Sequence, residues 1–174
     1  MPELPEVERA RQTLESALGR MIVAVDDRDS YVCRPHPPGE LNAALTGHTL
    51  TSAHRRGKFM WLETDDGPAL GLHLGMAGRI VVESPGLETA WGGEPFRRDA
   101  QPARAQWDRF RLDFADGGSL VLFDKRRLSR VRLNPGLAAL GPDAETVTEA
   151  EFRDLVRRGT GRPARRRGRR AATG

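Results

Sequence analysis

The chain has 174 residues, room for one domain or for one domain and a tail. It carries 28 Lys and Arg against 24 Asp and Glu, for a formal charge of +4, and its single cysteine, Cys33, excludes an internal disulfide and a cysteine-based zinc site within one chain. The charge is uneven: eight arginines and no acid follow Asp154, which leaves 20 basic against 24 acidic residues before them, about −4. Any nucleic-acid contact by the body must therefore come from a local cluster and not from a general positive field.

In residues 5–18 the apolar positions Val7, Ala10, Leu14, Ala17 and Leu18 recur at helical spacing, with Gly19 where a cap belongs. The spacing predicts one amphipathic helix packed on something flat. Residues 21–25 read as a strand, 26–38 as a polar, Pro-containing excursion, and 41–45 as a short helix. From Leu50 the pattern changes to short strands over 50–55, 58–64, 69–74 and 79–83, punctuated by Gly57, Asp66-Gly67, Gly75 and Gly78. Residues 85–106 read as a long, charged loop, functional or mobile. Residues 110–114 and 120–123, joined through Asp116-Gly117-Gly118, predict a hairpin, and 130–133 a last strand. Such strands and tight turns point to an antiparallel sandwich or barrel. Residues 149–158 read as helical. Residues 159–174 contain only Arg, Gly, Ala, Pro and Thr, which cannot pack a core, so disorder is expected there. No run of eighteen apolar residues and no signal-like opening occurs, so no membrane partner is expected and a cytoplasmic, nucleoid-associated location is.

The stretch with the most chemistry is Met1-Pro2-Glu3-Leu4-Pro5-Glu6-Val7-Glu8. Initiator methionine is normally trimmed before a small residue, which would leave Pro2 with a free secondary amine. An N-terminal amine has a reference pKa of about 7.7 to 8.0, so roughly a fifth to a third is unprotonated at pH 7.4. Glu3 beside it can donate and retrieve protons, and an amine with a neighbouring carboxyl group suits Schiff-base chemistry. The same letters also describe an ordinary helix start: Pro5 suits the first turn, and Glu3, Glu6 and Glu8 suit its positive end.

The octet resembles, letter for letter, the opening of the formamidopyrimidine-DNA glycosylase and endonuclease VIII family of base-excision repair enzymes. The resemblance implies that Pro2 is the nucleophile attacking C1′ of a damaged nucleotide, that Glu3 protonates the sugar ring oxygen, and that Glu6, one helical turn on, is a supporting carboxylate. Three further stretches resemble the family in the same order. His54-Arg55-Arg56-Gly57-Lys58-Phe59 matches the basic turn whose lysine holds a phosphate beside the lesion, which makes Lys58 both a DNA-binding residue and part of the catalytic set. His73-Leu74-Gly75-Met76-Ala77-Gly78-Arg79 matches the turn whose methionine, here Met76, enters the space left by the flipped base; a slender apolar wedge helps offset the unstacking. His73 itself reads as a strand histidine facing the interior. Asp124-Lys125-Arg126-Arg127-Leu128 matches the family's void-filling loop, usually Asp-Pro-Arg-Arg-Phe: Arg126 would pair with the orphaned base and Leu128 would wedge. Lys125 replaces proline and Leu128 replaces phenylalanine, so the wedge is smaller. No role is drawn from Trp107-Asp108-Arg109.

The fold implied is mainly β with α: an N-terminal helix on a two-layered antiparallel β-sandwich over residues 1–134, a linker with a short helix over 135–158, and a basic tail over 159–174. The implied function is a bifunctional DNA glycosylase and AP lyase acting on oxidised or ring-opened bases, purines foremost, with damaged double-stranded DNA as partner, as a monomer. No cofactor is expected, since the family's zinc finger, with its helix-two-turn-helix segment, has no counterpart here. A truncated or frame-shifted product of a GC-rich gene is the corresponding expectation. The competing reading is a catalytically weak or silent remnant that binds DNA non-specifically. A tautomerase using Pro2 as general base fits poorly, because a helix follows the proline where those enzymes run a strand.

Overall fold

The computed structural model describes residues 2–93, 105–136, 148–150, 153, 154 and 157. Helix α1 spans Leu4–Glu15. Pro5 sits in its first turn, where a missing N–H costs nothing, and Glu3 and Glu6 form a capping box. Val7, Ala10, Thr13 and Leu14 form its buried face; Val7 and Leu14 together contribute about 3–6 kcal/mol of burial. The helix stops before the predicted Leu18. The Thr13 and Ser16 hydroxyls turn back onto the carbonyls of Arg9 and Thr13, at 3.0 and 2.7 Å, and compete with the ladder. Residues 16–19 continue as turns that still bury Ala17, and Gly19 takes a φ of +74°.

Among the described residues nine strands follow: β1 (Ile22–Asp26), β2 (Leu50–Arg56), β3 (Phe59–Thr64), β4 (Leu70–His73), β5 (Arg79–Glu83), β6 (Ala90–Gly93), β7 (Asp108–Phe114), β8 (Ser119–Phe123) and β9 (Arg130–Leu133). A short helix α2 (Glu40–Leu45) lies between β1 and β2, and one 3-10 turn, Ala105–Trp107, leads into β7. The strands form two antiparallel sheets, ordered β1-β7-β8-β5-β6 and β2-β3-β4-β9. Alternation sets the inner faces: Phe110, Leu112 and Phe114 on β7, and Met60 and Leu62 on β3, enter one core shared by both sheets. Helix α1 lies against β5 and β6 of one sheet and β2 and β3 of the other. The fold is thus a helix packed on a two-layered antiparallel sandwich.

Strand β6 corrects the expected long loop. Ala-Trp-Gly-Gly has little strand propensity, yet it pairs with β5 from Val82↔Ala90 to Arg79↔Gly93. Gly92 explains why: a Cβ there would collide with the Cα of Ala10, so the glycine lets α1 approach the strand backbone directly. The rest of that loop, 94–104, lies outside the described residues.

The segment after β1 is tied down by Asp27, 3% exposed, whose carboxylate accepts the N–H groups of Gly39 at 2.7 Å and Leu41 at 2.9 Å and so caps α2. Val32 and Cys33 are fully buried beyond it, and Val131 N–H of β9 donates to the Val32 carbonyl at 3.0 Å. Burial pushes the Cys33 thiol up to about 12, an inert buried sulfur.

The chain divides into two units, Met1–Gly141 and Pro142–Gly174. In the second, Glu149, Ala150, Arg153, Asp154 and Arg157 are helical, and Arg153 pairs with Glu149 at 2.6 Å. The remainder of the predicted helix and the basic tail lie outside the described residues. Among the described residues no helix is long and apolar enough to cross a membrane.

Candidate functional site

Pro2 is buried and Glu3 exposed, both in the non-helical lead-in to α1, with Glu3 in extended backbone as the N-cap. The Glu3 N–H donates to Glu6 Oε2 at 2.9 Å. Glu6 therefore holds the first turn in shape, and Glu3 presents a solvent-facing carboxylate beside Pro2.

One turn into α1, Glu8 reaches across to the sandwich. Its carboxylate accepts from Arg11 Nε and Arg55 Nε, both at 2.8 Å. The Arg11 hydrogen bond, working against burial and joined by Arg55, holds the Glu8 carboxyl below the usual range. Arg55, only 8% exposed at its side chain, also donates to the Gly57 carbonyl at 3.1 Å. Gly57 has a φ of +58°, which suits glycine in the β2–β3 turn, and Lys58 follows it, half-buried. One carboxylate thus couples the helix that follows Pro2 to the turn bearing Lys58.

His73 stands beside that turn. In the register it pairs with Phe59, next to Lys58, on one side and with Arg130 on the other. Burial, then the charges of Lys58 and Arg130, push the His73 imidazole below its ordinary value. Gly75 N–H donates to its Nδ1 at 3.1 Å, so the neutral ring carries its proton on Nε2. A lysine, an arginine and a neutral histidine N–H gathered at adjoining strand ends are the donors and charges that an anion could engage. The half-burial of His73 agrees only in part with the inward-facing reading.

Met76 is 43% exposed in the β4–β5 turn, the exposure a wedge needs. Gly75 fixes where that turn sits: its φ is +62°, and a Cβ would fall 2.5 Å from the carbonyl carbon of Leu128. The Met76 turn and the Arg126–Leu128 loop are therefore in direct contact. A single buried carboxylate shapes the second loop. Asp124, fully buried, accepts Arg126 N–H on Oδ1 at 2.8 Å, and on Oδ2 the N–H groups of Leu128 and Ser129, both at 2.8 Å, and the Ser129 hydroxyl at 2.7 Å. Arg126 is exposed and Leu128 half-buried. Lys125 lies 4.1 Å from the Trp107 ring centroid, a packing partner for the residue that replaces proline.

The structure brings Lys58 together with His73, and the turn that holds Met76 against the backbone of Leu128; it links Glu3 to Glu6 and, through Glu8 and Arg55, α1 to the Lys58 turn. Sequence reasoning gave no site role of their own to Glu8, Arg55, Asp124 or Arg130. Asp124 carried a readable signal, an aspartate opening a loop whose donors lie two, four and five residues on. The others meet only through strand pairing and helix packing.

A family model described as the formamidopyrimidine-DNA glycosylase N-terminal domain matches residues 1–131. A formamidopyrimidine-DNA glycosylase of Arabidopsis thaliana is 36% identical over 167 residues, covering 90% of this chain and 42% of the relative. One from Nocardioides sp. is 38% identical over 173 residues, covering 91% and 52%. The chain thus spans about half the length of the curated relatives it matches. Lactococcus lactis Fpg in complex with DNA containing N7-benzyl-Fapy-dG superposes with a TM-score of 0.59 at 29% identity, covering 76% of this chain and 43% of that one. The order of the octet, the basic turn, the methionine turn and the arginine loop, on this sandwich and with these relatives, establishes that the chain belongs to the formamidopyrimidine-DNA glycosylase family and carries its N-terminal domain.

Proposed function

We propose that the chain performs the chemistry of a base-excision DNA glycosylase and AP lyase, with Pro2 as nucleophile. The observation that carries this is the coupling of α1, which Pro2 and Glu3 lead into, through Glu8 and Arg55 to a turn whose Lys58 lies with His73 and Arg130. A phosphate held there would set the sugar of the same nucleotide against the start of the helix. The Pro2 nitrogen attacks C1′ as the bond from C1′ to the base breaks, and the base departs with a proton. Glu3 protonates the ring oxygen, the sugar opens, and an iminium forms between Pro2 and C1′. The iminium gives up a proton from C2′, the pair left behind forms the C2′–C3′ double bond as the 3′ phosphate departs and the strand is nicked, and water then releases the sugar remnant and regenerates the amine. Met76, Arg126 and Leu128 fill the space left by the extruded nucleotide. Oxidised or ring-opened purines are the proposed substrates; the relatives' names and the lesion in the Lactococcus lactis complex support that class.

The test is borohydride trapping of the full chain on a duplex with one abasic site, beside Pro2→Gly and a version whose Met1 cannot be removed. A covalent adduct with the wild type, absent with retained Met1 and strongly reduced in Pro2→Gly, is expected. If the folded protein with a free Pro2 gives none, non-specific DNA binding without chemistry becomes the better reading.

A further inference from the structure

Three guanidinium groups converge on one exposed tyrosine. The Cζ atoms of Arg34, Arg130 and Arg127 lie 4.2, 5.0 and 5.6 Å from the ring centroid of Tyr31, which is 43% exposed. Arg127 is offset by Asp29, which it meets at 2.7 and 2.9 Å and which Arg109 approaches to 3.6 Å. Burial pushes the Asp29 carboxyl up, but Arg127 and nearby main-chain N–H groups hold it below its usual value, so it stays an anion. Among the described residues, neither Arg34 nor Arg130 meets a carboxylate. Arg130 donates through Nη1 to the carbonyls of Ser129 at 2.6 Å and Arg127 at 3.3 Å, which aims the guanidinium without neutralising it. Gathering like charges without a counter-ion is unfavourable unless an anion completes the cluster.

The backbone beneath is fixed. Asp29 accepts the N–H groups of Tyr31 and Val32, both at 3.1 Å, Val32 and Cys33 are buried in the core, and β9 bonds to the Val32 carbonyl. Tyr31 and Arg34 are thus presented on a rigid strap, which cuts the ordering cost of binding. Arg130 belongs to both clusters, since His73 is its register partner. The positive track that starts at Lys58 continues through Arg130 to Tyr31 and Arg34.

We propose that Tyr31, Arg34 and Arg130 form a second phosphate seat, which takes a phosphodiester of the DNA backbone beyond the one held by Lys58 and His73. This rests on the reading of the Lys58 cluster as a DNA contact. Tyr31 and Arg34 are exposed, and an exposed seat suits one link of a continuous polyanion better than an enclosed free phosphate. Tyr31 serves as the platform on which the guanidinium groups stack.

The test is the salt dependence of binding to an abasic-site duplex, read by fluorescence anisotropy between 50 and 200 mM KCl. The proteins are the full chain with free Pro2, Arg34→Ala, Tyr31→Ala, Tyr31→Phe, and Arg28→Ala as a control for loss of any exposed arginine. Each lost phosphate contact makes the slope of log K against log salt shallower by about 0.9. That change is expected for Arg34→Ala, at least as large a change for Tyr31→Ala, a smaller one for Tyr31→Phe, which keeps the ring but loses the hydroxyl that Arg34 and Arg130 meet, and none for Arg28→Ala. Thermal unfolding of each variant confirms its fold, and Tyr31→Phe keeps the comparison valid if Tyr31→Ala unfolds. Unchanged slopes for Arg34→Ala in a wild type that binds and traps abasic DNA overturn the seat alone. An equal change for Arg28→Ala, or stabilisation by millimolar inorganic phosphate that Arg34→Ala abolishes while its slope is unchanged, also overturns it. A folded wild type that neither binds nor traps overturns the seat and the proposed function together.

Discussion

Replacing Asp124 tests whether one buried carboxylate holds the Arg126–Leu128 loop in shape. In Asp124→Ala, four donors lose their acceptor. The Arg126 and Leu128 N–H groups are part-buried and can turn to water, whereas the Ser129 N–H is buried and its hydroxyl keeps only the Leu74 carbonyl at 3.0 Å. At about 1–3 kcal/mol for each donor stranded in the interior, plus the bonds lost by the other two, the expected cost is about 3–5 kcal/mol. Asp124→Asn should be milder and informative. An amide can keep its oxygen on the three-donor side, where Oδ2 now sits, and place its NH2 against Arg126 N–H. One contact is then lost, at about 1–2 kcal/mol. Urea denaturation gives both values, and anisotropy with an abasic duplex reports the loop. The expected order is wild type, Asn, Ala in stability, with DNA affinity falling in both variants. An alanine variant within about 1 kcal/mol of wild type would refute the reasoning, because the loop would then be held by something else.

Gly92→Val should destabilise by about 1–3 kcal/mol, since its Cβ would meet Ala10 and lie 2.7 Å from Thr13 Oγ1; calorimetry checks this, and an unchanged Tm would mean that α1 does not press on β6 as described. Glu8→Gln removes the charge that two arginines share, one of them Arg55 at 8% exposed. A loss of about 1–2 kcal/mol is expected, discounted because Glu8 itself is partly solvated, together with a trapping rate that falls more than duplex affinity does; equal falls in both would contradict a positioning role. His73 sets a pH dependence. Its folded value lies below the ordinary one of about 6.5, so on acidification the unfolded chain takes up the proton first and stability is lost as pH drops below about 6.5 toward the folded value. His73→Gln should flatten that part of the stability profile, and a profile identical to wild type would show that the imidazole is not held neutral.

Much of this architecture is readable in the order of residues. The strand at Arg130–Leu133, the hairpin through Asp116-Gly117-Gly118, and the helix behind Pro5 follow from local chemistry that tertiary packing reinforces. Strand β6 is unreadable for the opposite reason, because its glycines weaken the strand signal while permitting the helix contact that stabilises it. The end of α1 misleads because Ala17 and Leu18 keep their apolar spacing after hydroxyl groups have broken the ladder. In the site, Lys58, Met76, Arg126 and Leu128 stand out in turns. His73, Arg130 and Glu8 do not, since their meaning lies in pairings between segments far apart in sequence. Tyr31 with its arginines is of the same kind: a polar excursion by composition, and a charged cluster only once the strap lies along β9.

The most direct measurement is the address of the covalent bond. The full chain, with its N-terminus confirmed as free proline, is reduced with borohydride on an abasic duplex, and the adduct is digested and mapped by mass spectrometry. The account expects the sugar remnant on the nitrogen of Pro2, in the peptide that begins Pro2-Glu3-Leu4. A remnant on Lys58 or any other lysine would contradict it, placing the nucleophile in the sandwich and leaving the helix N-terminus a structural start.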